Sequence, residues 1–317
     1  MRKALVVGID AYPKPIPLLS GCVNDANKIA TVIETNGDGS PNLSVKLMTS
    51  PDKAVSRPAL REAINQLFRG PSDMALLYFS GHGYLQSTGG YLVTTDAKSY
   101  DEGVSMDEIL TLANQSQAKN KIVILDCCHS GALGSPAISS GALAQLSEGL
   151  SVLTASRESE SAMEVDGSGV FTSLVVDALK GGAADLRGNI TPGSLYAYVD
   201  EALGAWDQRP IFKTNVSSFA PIRNVPPKIP ADKMRKITQY FKTPQSEHKL
   251  DPSYEFTEKN ADPENVKIMK DLQKFHSVGL VVPVNEEFMY FAAMNSKSCR
   301  LTALGYQYWR LVNEKKL

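Results

Sequence analysis

Two segments of this chain decide its fold: Leu76-Leu77-Tyr78-Phe79-Ser80-Gly81-His82-Gly83 and Ile122-Val123-Ile124-Leu125-Asp126-Cys127-Cys128-His129-Ser130-Gly131. Each is an apolar, β-rich run of the length expected for a buried strand, and each ends abruptly in small residues that carry a reactive side chain. Two parallel strands that end at the same edge of a sheet would bring His82 and Cys128 side by side. A thiol beside an imidazole is the minimum needed for nucleophilic attack on an acyl group.

Apolar runs and helical periodicity alternate along the first two thirds of the chain. The pattern predicts strands over 4–9, 43–48, 74–80, 121–126, 151–155 and, at an edge, 211–215. It predicts helices over 24–35, 57–68, 106–113, 171–179 and 192–203. Such alternation is typical of an α/β fold with a mainly parallel sheet and helices on both faces. In these folds, ligands bind beyond the carboxyl ends of the strands.

The composition is that of an ordinary globular protein. The chain has 317 residues, 43% of them hydrophobic, and a formal net charge of −1, which argues against a polyelectrolyte partner for the whole chain. Four cysteines, at 22, 127, 128 and 299, are too few for a disulfide framework. The apolar run after Met1 is interrupted too early for a signal peptide, and no stretch approaches a membrane span. We therefore expect a reduced, cytoplasmic protein with no membrane association.

The composition of the sequence becomes rich in proline near residue 220. We predict an α/β domain over residues 1–219, a proline-rich linker over 220–230 and a small α+β domain over 231–317. The last segment carries 14 Lys and Arg against 11 Asp and Glu, a net charge of +3. Its pattern predicts a helix over 266–276, a hairpin that joins 279–282 to 288–291, and a helix over 301–311. This arrangement resembles a winged-helix module.

The reactive residues also admit structural interpretations. A structural histidine usually lies within an element, whereas His82 lies between Gly81 and Gly83, which let the backbone approach a ligand closely. Cys127 and Cys128 project to opposite sides of a strand, so one faces the cleft and the other, which we take to be Cys127, packs in the core as buried cysteines usually do. A metal site is disfavoured because consecutive residues chelate poorly and no second cysteine pair exists.

Together, the two motifs resemble the catalytic motifs of the caspase-like peptidases, most closely metacaspases, paracaspases and their bacterial relatives. The resemblance rests on residues 78–83 and 126–131, in this order and spacing, and spans roughly residues 1–215. It implies a caspase-like three-layer α/β/α domain and a cysteine endopeptidase with a Cys-His dyad. The nucleophile would be Cys128, directly before His-Ser-Gly, with His82 as its partner. The backbone N–H groups of Gly83 and Cys128 would stabilise the oxyanion.

The resemblance further implies a pocket for a basic P1 side chain. The positions that match the family's pocket hold Cys22, Asp25, Ser80 and Asp126, and Glu164 is a candidate equivalent of a paracaspase glutamate. Carboxylates in a closed pocket are costly to bury unpaired, and an arriving guanidinium neutralises them through bidentate hydrogen bonds. We therefore predict cleavage after Arg, with Lys second. For Asp25 alone, a favourable place in the first turn of a helix is a nearly equal explanation.

Two departures from the family pattern carry expectations of their own. Type I metacaspases bind calcium through residues that include an adjacent Asp pair before Glu-Leu, whereas this chain has Met106-Asp107-Glu108-Ile109, so we expect no cofactor and no calcium dependence. No Lys or Arg lies between Lys121 and Arg157, so an Arg-specific enzyme would find no self-processing site in that loop. The candidate self-processing sites near the linker are Arg209, Lys213, Arg223 and Lys228.

Two other functions fit the same sequence. One is a catalytically silent caspase-like scaffold whose C-terminal domain binds a partner protein or DNA. A net charge of +3 is low for phosphate binding, so a regulatory protein partner or an autoinhibitory role is favoured there over nucleic acid. The other is a different cysteine acyl-transfer activity, such as transpeptidation, in the same site. The resemblance alone implies a role in regulated proteolysis, including bacterial defence or cell death.

Overall fold

The computed structural model describes residues 1–51, 54–86, 89–98, 103–127, 146–155, 164–165, 168–203 and 210–317, and it divides into two compact units, Met1–Val225 and Pro226–Leu317. The strands of the first unit are β1 Arg2–Gly8, β2 Ser44–Thr49, β3 Ser72–Ser80, β4 Gly83–Gln86, β5 Gly89–Val93, β6 Gly103–Ser105, β7 Ala118–Asp126, β8 Leu150–Thr154, β9 Glu164–Val165, β10 Ser168–Gly169, β11 Asn189–Ile190, β12 Ile211–Asn215 and β13 Arg223–Asn224. Its helices are α1 Cys22–Glu34, α2 Arg57–Phe68, α3 Met106–Gln115, α4 Val170–Asp177, which continues into a π-helical turn at Ala178–Gly182, and α5 Pro192–Leu203.

The main sheet of the first unit has the strand order β12-β8-β7-β3-β1-β2. Neighbouring strands are parallel except at the edge, where β12 runs antiparallel to β8. The mainly parallel α/β fold predicted from the sequence is thus confirmed. The helices α2 and α5 and the strand β12 begin and end at the predicted residues.

Alternating side chains of the central strands enter two separate hydrophobic cores. Val7, Phe79 and Leu125 belong to the core that includes α2 and α3. Residues one position earlier, such as Tyr78, belong to the core that includes α1, α4 and α5. Burial on both faces explains why these strands appear in the sequence as continuous apolar runs. Cys127 is 1% exposed and lies in the first core, as the alternation predicts.

The sequence pattern does not predict the three-stranded antiparallel sheet β4-β5-β6 that follows His82. Its strands have only three to five residues, and the glycines that begin β5 lack the branched side chains typical of strands. Leu92, Val93 and Val104 fix this sheet to the first core. The small sheet therefore holds in place the chain that follows His82 in the sequence.

The predicted linker over 220–230 differs from the structure in its first half. Residues up to Val225 are part of the first unit, because β13 pairs with β11 and the Ile222 side chain is buried. The Arg2 guanidinium also donates to the carbonyl oxygens of Pro221 and Ile222, each at 2.8 Å. The N–H groups of Ile222 and Val225 donate to the carbonyl oxygens of Ile190 and Gly188 at 2.7 and 2.8 Å. The proline content of the segment conceals this pairing in the sequence.

The second unit is small and mixes helices with strands. Its strands are β14 Glu247–Lys249, β15 Val281–Val284 and β16 Ser298–Leu301, in the antiparallel order β14-β16-β15. Its helices are α6 Ala231–Met234, α7 Ile237–Tyr240, α8 Pro263–Ser277, α9 Met289–Met294 and α10 Ala303–Asn313, with a 3₁₀ turn at Pro252–Tyr254. The predicted hairpin is wrong in its second strand, since Met289–Met294 is helical and β15 pairs with β16. A short aromatic run has too little periodicity to separate helix from strand.

The winged-helix resemblance of this unit stays a prediction. Across the described parts of both units, no helix combines the length and the apolar character needed to cross a bilayer.

Candidate active site

The ends of β3 and β7 bring the two predicted catalytic motifs next to each other. Ser80 pairs with Asp126 in the parallel ladder, and the N–H of Gly81 donates to the carbonyl oxygen of Asp126 at 3.3 Å. His82 and Cys128 each follow this last pair by two positions in the sequence. Cys128 itself lies outside the described residues.

His82 is held by both its backbone and its ring. Its N–H donates to the Tyr12 hydroxyl at 2.9 Å, and the two rings pack with centroids 4.7 Å apart. The imidazole Nε2 lies 2.9 Å from the carbonyl oxygen of Pro17. A carbonyl oxygen only accepts hydrogen bonds, so Nε2 carries the proton and Nδ1 of the neutral ring is the proton acceptor. The backbone carbonyl of Pro17 therefore orients the imidazole.

The protonation state of His82 suits a general base. Burial lowers the pKa of the imidazole, and this effect outweighs the opposing influence of the Pro17 carbonyl. The neutral ring is therefore the main form at pH 7. A neutral imidazole with Nδ1 unprotonated can take a proton from a neighbouring thiol.

Gly81 leaves no room for a side chain. A Cβ at this position would lie 2.6 Å from the Tyr12 hydroxyl and 3.0 Å from the Phe79 ring. We expect Gly81→Ala to displace Tyr12 and with it His82, lowering the stability of the first unit by about 1–3 kcal/mol. Urea unfolding measures this loss. In a Tyr12→Phe background, which removes the nearest atom, the added cost of Gly81→Ala should shrink; equal costs in both backgrounds would contradict this explanation.

Gly83, the predicted oxyanion donor, is buried at the start of β4. The N–H of Val93 donates to the carbonyl oxygen of His82 at 3.0 Å, while Gly83 is opposite Leu92. These two relations define a non-hydrogen-bonded antiparallel pair, in which the Gly83 N–H points away from β5. The Gly83 N–H is therefore not used in the pairing with β5, and its role in oxyanion binding stays a prediction.

Asp25 and Asp126 are buried carboxylates, 2% and 4% exposed. Asp126 Oδ2 accepts a hydrogen bond from the Thr172 hydroxyl at 2.7 Å, and Thr172 is bonded in turn to the Tyr78 hydroxyl at 2.6 Å. Asp25 Oδ2 accepts from the N–H of Gly169 at 3.2 Å. Asp25 Oδ1 has no hydrogen-bond partner among the described residues. One buried acceptor is therefore unsatisfied, which is costly unless a ligand supplies a donor.

The two carboxylates influence each other's charge. Burial first, and then the charge of Asp126, raise the pKa of Asp25 to about 6, although hydrogen bonds from Gly169 and Ser168 and the charge of Lys28 act in the opposite direction. A carboxylate that resists ionisation beside another carboxylate is stabilised by an incoming cation. The pair therefore has the chemistry of a site for a guanidinium or ammonium group.

The helix-dipole explanation for Asp25 is weakened by Asp10. Asp10, just after β1, accepts the N–H groups of Cys22 at 2.8 Å and Val23 at 3.2 Å, so it caps the start of α1. Asp25 instead binds Gly169, on another element. The sequence predicts no role for Asp10, and its position directly after a buried strand was the available signal.

The remaining predicted pocket residues have different fates. Ser80 is buried, and burial raises the pKa of the Cys22 thiol despite the opposing influence of the Ser80 side chain. Cys22 is therefore protonated at neutral pH and unsuited as a nucleophile. Glu164 belongs to β9, where it pairs with Gly169, but its side chain lies outside the described part of the structure.

In the segment that matches the calcium-binding motif, the Glu108 carboxylate forms an ion pair with Arg61. Glu108 accepts from Arg61 Nε at 2.5 Å, so its charge is already engaged within the chain. Among the residues that the structure describes, no group of three His, Cys, Asp or Glu side chains is placed to hold a metal. Independence from calcium stays a prediction.

Known proteins resemble this chain in its first unit. Residues 1–220 match the family model of the caspase domain. The protein GSU0716 from Geobacter sulfurreducens is similar in structure with a TM-score of 0.51 and 18% identity, over 70% of this chain and 98% of that one. Caspase-1 from Spodoptera frugiperda is similar with a TM-score of 0.51 and 13% identity, over 70% of this chain and 90% of its own. At these identities the structural likeness shows the fold alone. No curated protein matches the chain.

Proposed function

Because this chain belongs to the caspase domain family of cysteine peptidases, we propose that it is a cysteine endopeptidase that cleaves proteins after basic P1 residues, Arg in preference to Lys. The observation that carries the proposal is the buried pair Asp25 and Asp126 beside the strand ends that lead to His82 and Cys128. Acyl-transfer chemistry and a cation site at one sheet edge are what such an enzyme requires. Regulated proteolysis, as in bacterial defence or cell death, is the proposed setting.

The proposed mechanism uses the orientation of the His82 ring. Pro17 holds Nε2, so Nδ1 takes the thiol proton of Cys128. The thiolate attacks the carbonyl carbon after the basic residue, and the resulting oxyanion accepts the N–H groups of Gly83 and Cys128. The tetrahedral intermediate collapses to an acyl-enzyme as the leaving amine takes its proton from His82. Water, activated by the same imidazole, then hydrolyses the acyl-enzyme.

The preference for Arg follows from the number of acceptors. Asp25 Oδ1 lacks a partner among the described side chains, and the pocket contains a second carboxylate at Asp126. A planar guanidinium offers five N–H donors in a fixed geometry, whereas an ammonium offers three around a point. The spread of its donors lets Arg reach two separated carboxylates at once, which the compact ammonium of Lys does less well.

A fluorogenic peptide panel that varies only the P1 residue tests the proposal. The full-length protein is assayed with peptides that carry Arg, Lys, citrulline or Asp at P1, each in the presence of calcium and of EDTA. We expect Arg to exceed Lys and citrulline to be poor, because citrulline keeps the shape of Arg without its charge. Equal turnover of Arg and citrulline would contradict the acidic pocket, and no hydrolysis of any peptide would favour a silent scaffold. Ligation of an added amine instead of hydrolysis would indicate a transpeptidase.

The pH dependence of hydrolysis should reveal Asp25. Its pKa is raised to about 6, so the carboxylate is ionised above that pH and progressively neutral below it. We expect KM for the Arg peptide to rise as pH falls through 6, while KM for the citrulline peptide stays nearly constant. Protonation of His82, whose pKa is lowered, should reduce kcat for both peptides at more acidic pH. Parallel KM profiles for the two peptides would contradict the assignment of Asp25.

A further inference from the structure

Ser168 is the centre of a hydrogen-bonded cluster beside Asp25. Its side chain is fully buried, and its Oγ accepts from the Lys28 ammonium at 2.5 Å and from the Asn24 amide at 3.1 Å. A hydroxyl that accepts two donors still has one proton to donate. The next residue, Gly169, donates its N–H to Asp25 Oδ2 at 3.2 Å, and the Ser168 hydroxyl lowers the pKa of this carboxyl. Ser168 therefore connects an ammonium group to the pocket carboxylate.

Lys28 lies one turn after Asp25 on α1, and its ammonium turns towards a buried hydroxyl. A lysine on a surface helix ordinarily keeps its charged end in water. Here the side chain gives up part of its hydration and its rotamer freedom, which costs free energy. Attraction to the Asp25 carboxylate across Ser168 offsets this cost, because a hydrogen-bonded chain transmits charge well where water is excluded.

The titratable groups that influence Asp25 come from several elements. They are Asp126 from β7, Tyr78 from β3, and Cys22 and Lys28 from the same helix. Burial raises the pKa of both Tyr78 and Cys22, so these two are neutral at pH 7. Among the described side chains, Asp126 therefore opposes the ionisation of Asp25 and Lys28 favours it. The charge on the pocket depends on the balance between them.

We infer that Lys28, acting through Ser168, is a positioning residue that keeps Asp25 ionised for a basic P1 side chain. The effect of Lys28 on substrate binding rests on the proposed function, whereas its contact with Ser168 does not. Two carboxylates in one site tend to retain a proton between them. Lys28 lowers that tendency, so the pocket meets an incoming cation already charged. It thereby sets the lowest pH at which substrate binds well.

Carboxyl titration of Asp25 by NMR tests the inference without any turnover. The full-length protein with Cys128→Ala is compared with the same protein carrying Lys28→Met, Lys28→Arg or Lys46→Met. Lys46 is an exposed lysine on β2 and is the matched control. We expect Lys28→Met to move the Asp25 titration upward by at least about half a pH unit. Lys28→Arg should restore most of the original titration, and Lys46→Met should not change it.

Kinetics of the active protein provide the second measurement. A shift of half a unit to one unit from a pKa of about 6 lowers the ionised fraction of Asp25 at pH 6, so Lys28→Met should raise KM for the Arg peptide about two- to fivefold at that pH. The difference should disappear at pH 8.5, where Asp25 is ionised in either protein, and kcat should not change. In Ser168→Ala, adding Lys28→Met should shift the titration less than it does alone, because the connecting hydroxyl is gone.

The outcomes separate the inference from the proposed function. An unchanged Asp25 titration in Lys28→Met overturns the inference, whichever peptide the enzyme prefers. A KM that rises equally at pH 6 and pH 8.5 also overturns it, since it indicates a purely structural role. A shifted titration in a protein that hydrolyses no Arg peptide overturns the proposed function and leaves the role of Lys28 in setting the charge intact.

Discussion

Cys128→Ala is expected to abolish hydrolysis of the Arg peptide, with kcat/KM falling at least about 10³-fold. The thiol is the atom that forms the acyl-enzyme in the proposed mechanism, and no neighbouring group replaces it. Removing one sulfur atom should leave the fold intact. Turnover of the fluorogenic peptide measures the loss, and mass spectrometry after reaction with an Arg chloromethylketone shows whether the covalent adduct also disappears.

Cys127→Ala is the matched control, because it removes the same group one residue earlier. Cys127 is buried in the core below the sheet edge, so this variant should lose some stability yet still hydrolyse the peptide and form the adduct. The opposite pattern, an active Cys128→Ala and an inactive Cys127→Ala, would show that the wrong cysteine has been assigned.

Asp25→Asn is expected to have two large and opposite effects. Cleavage after Arg should fall about 10²- to 10³-fold in kcat/KM, because a buried guanidinium would lose a charged partner. Stability at pH 7 should rise by about 1–2 kcal/mol. The raised pKa of about 6 means that ionisation of Asp25 destabilises the folded state at neutral pH. Each pH unit between the usual and the raised pKa corresponds to about 1.4 kcal/mol before screening by solvent.

The sign of the stability effect gives this prediction a sharp test. Asp25 is protonated in the folded state below its pKa of about 6 but in the unfolded state only below about 3.9, so the advantage of Asp25→Asn should shrink between these values and be small at pH 4. Urea unfolding at pH 7 and pH 4, with hydrolysis of the Arg and citrulline peptides, covers both effects. Asp126→Asn is the companion variant and should also lose preference for Arg. A variant at Asp25 that is less stable at pH 7 yet still prefers Arg would contradict the pocket.

Much of the fold could be predicted because the strands of a buried parallel sheet are long and apolar. The elements that escaped prediction are short or lie among glycines and prolines. The sheet β4-β5-β6 has few branched side chains, and its stability comes from contacts with the core that the local sequence does not reveal. Helix α9 escaped for the opposite reason, since its aromatic run is equally compatible with a strand.

The candidate site also contains residues that the sequence predicts and residues that it does not. The sequence predicts sites at His82, Asp126 and Asp25 because their side chains carry the chemistry and the motifs set their spacing, and their functional roles stay predictions. Pro17 was not predictable, since it acts through a backbone carbonyl, and any residue supplies one. Ser168 was not, because its contribution depends on a hairpin that meets α1 from 144 positions away in the chain. Long-range contacts between ordinary residues leave no local signature.

The hydrogen bonds from Arg2 to the carbonyl oxygens of residues 221 and 222 determine where the chain can be truncated without loss of structure. Family similarity ends at residue 220, which invites truncation there. A fragment that stops at that point would strip the guanidinium of two acceptors at 2.8 Å and uncover the surface that Ile222 fills. It would also delete the partner strand of β11. Anyone dissecting the chain should therefore retain it through Val225, and a piece ending five residues earlier should melt sooner or aggregate.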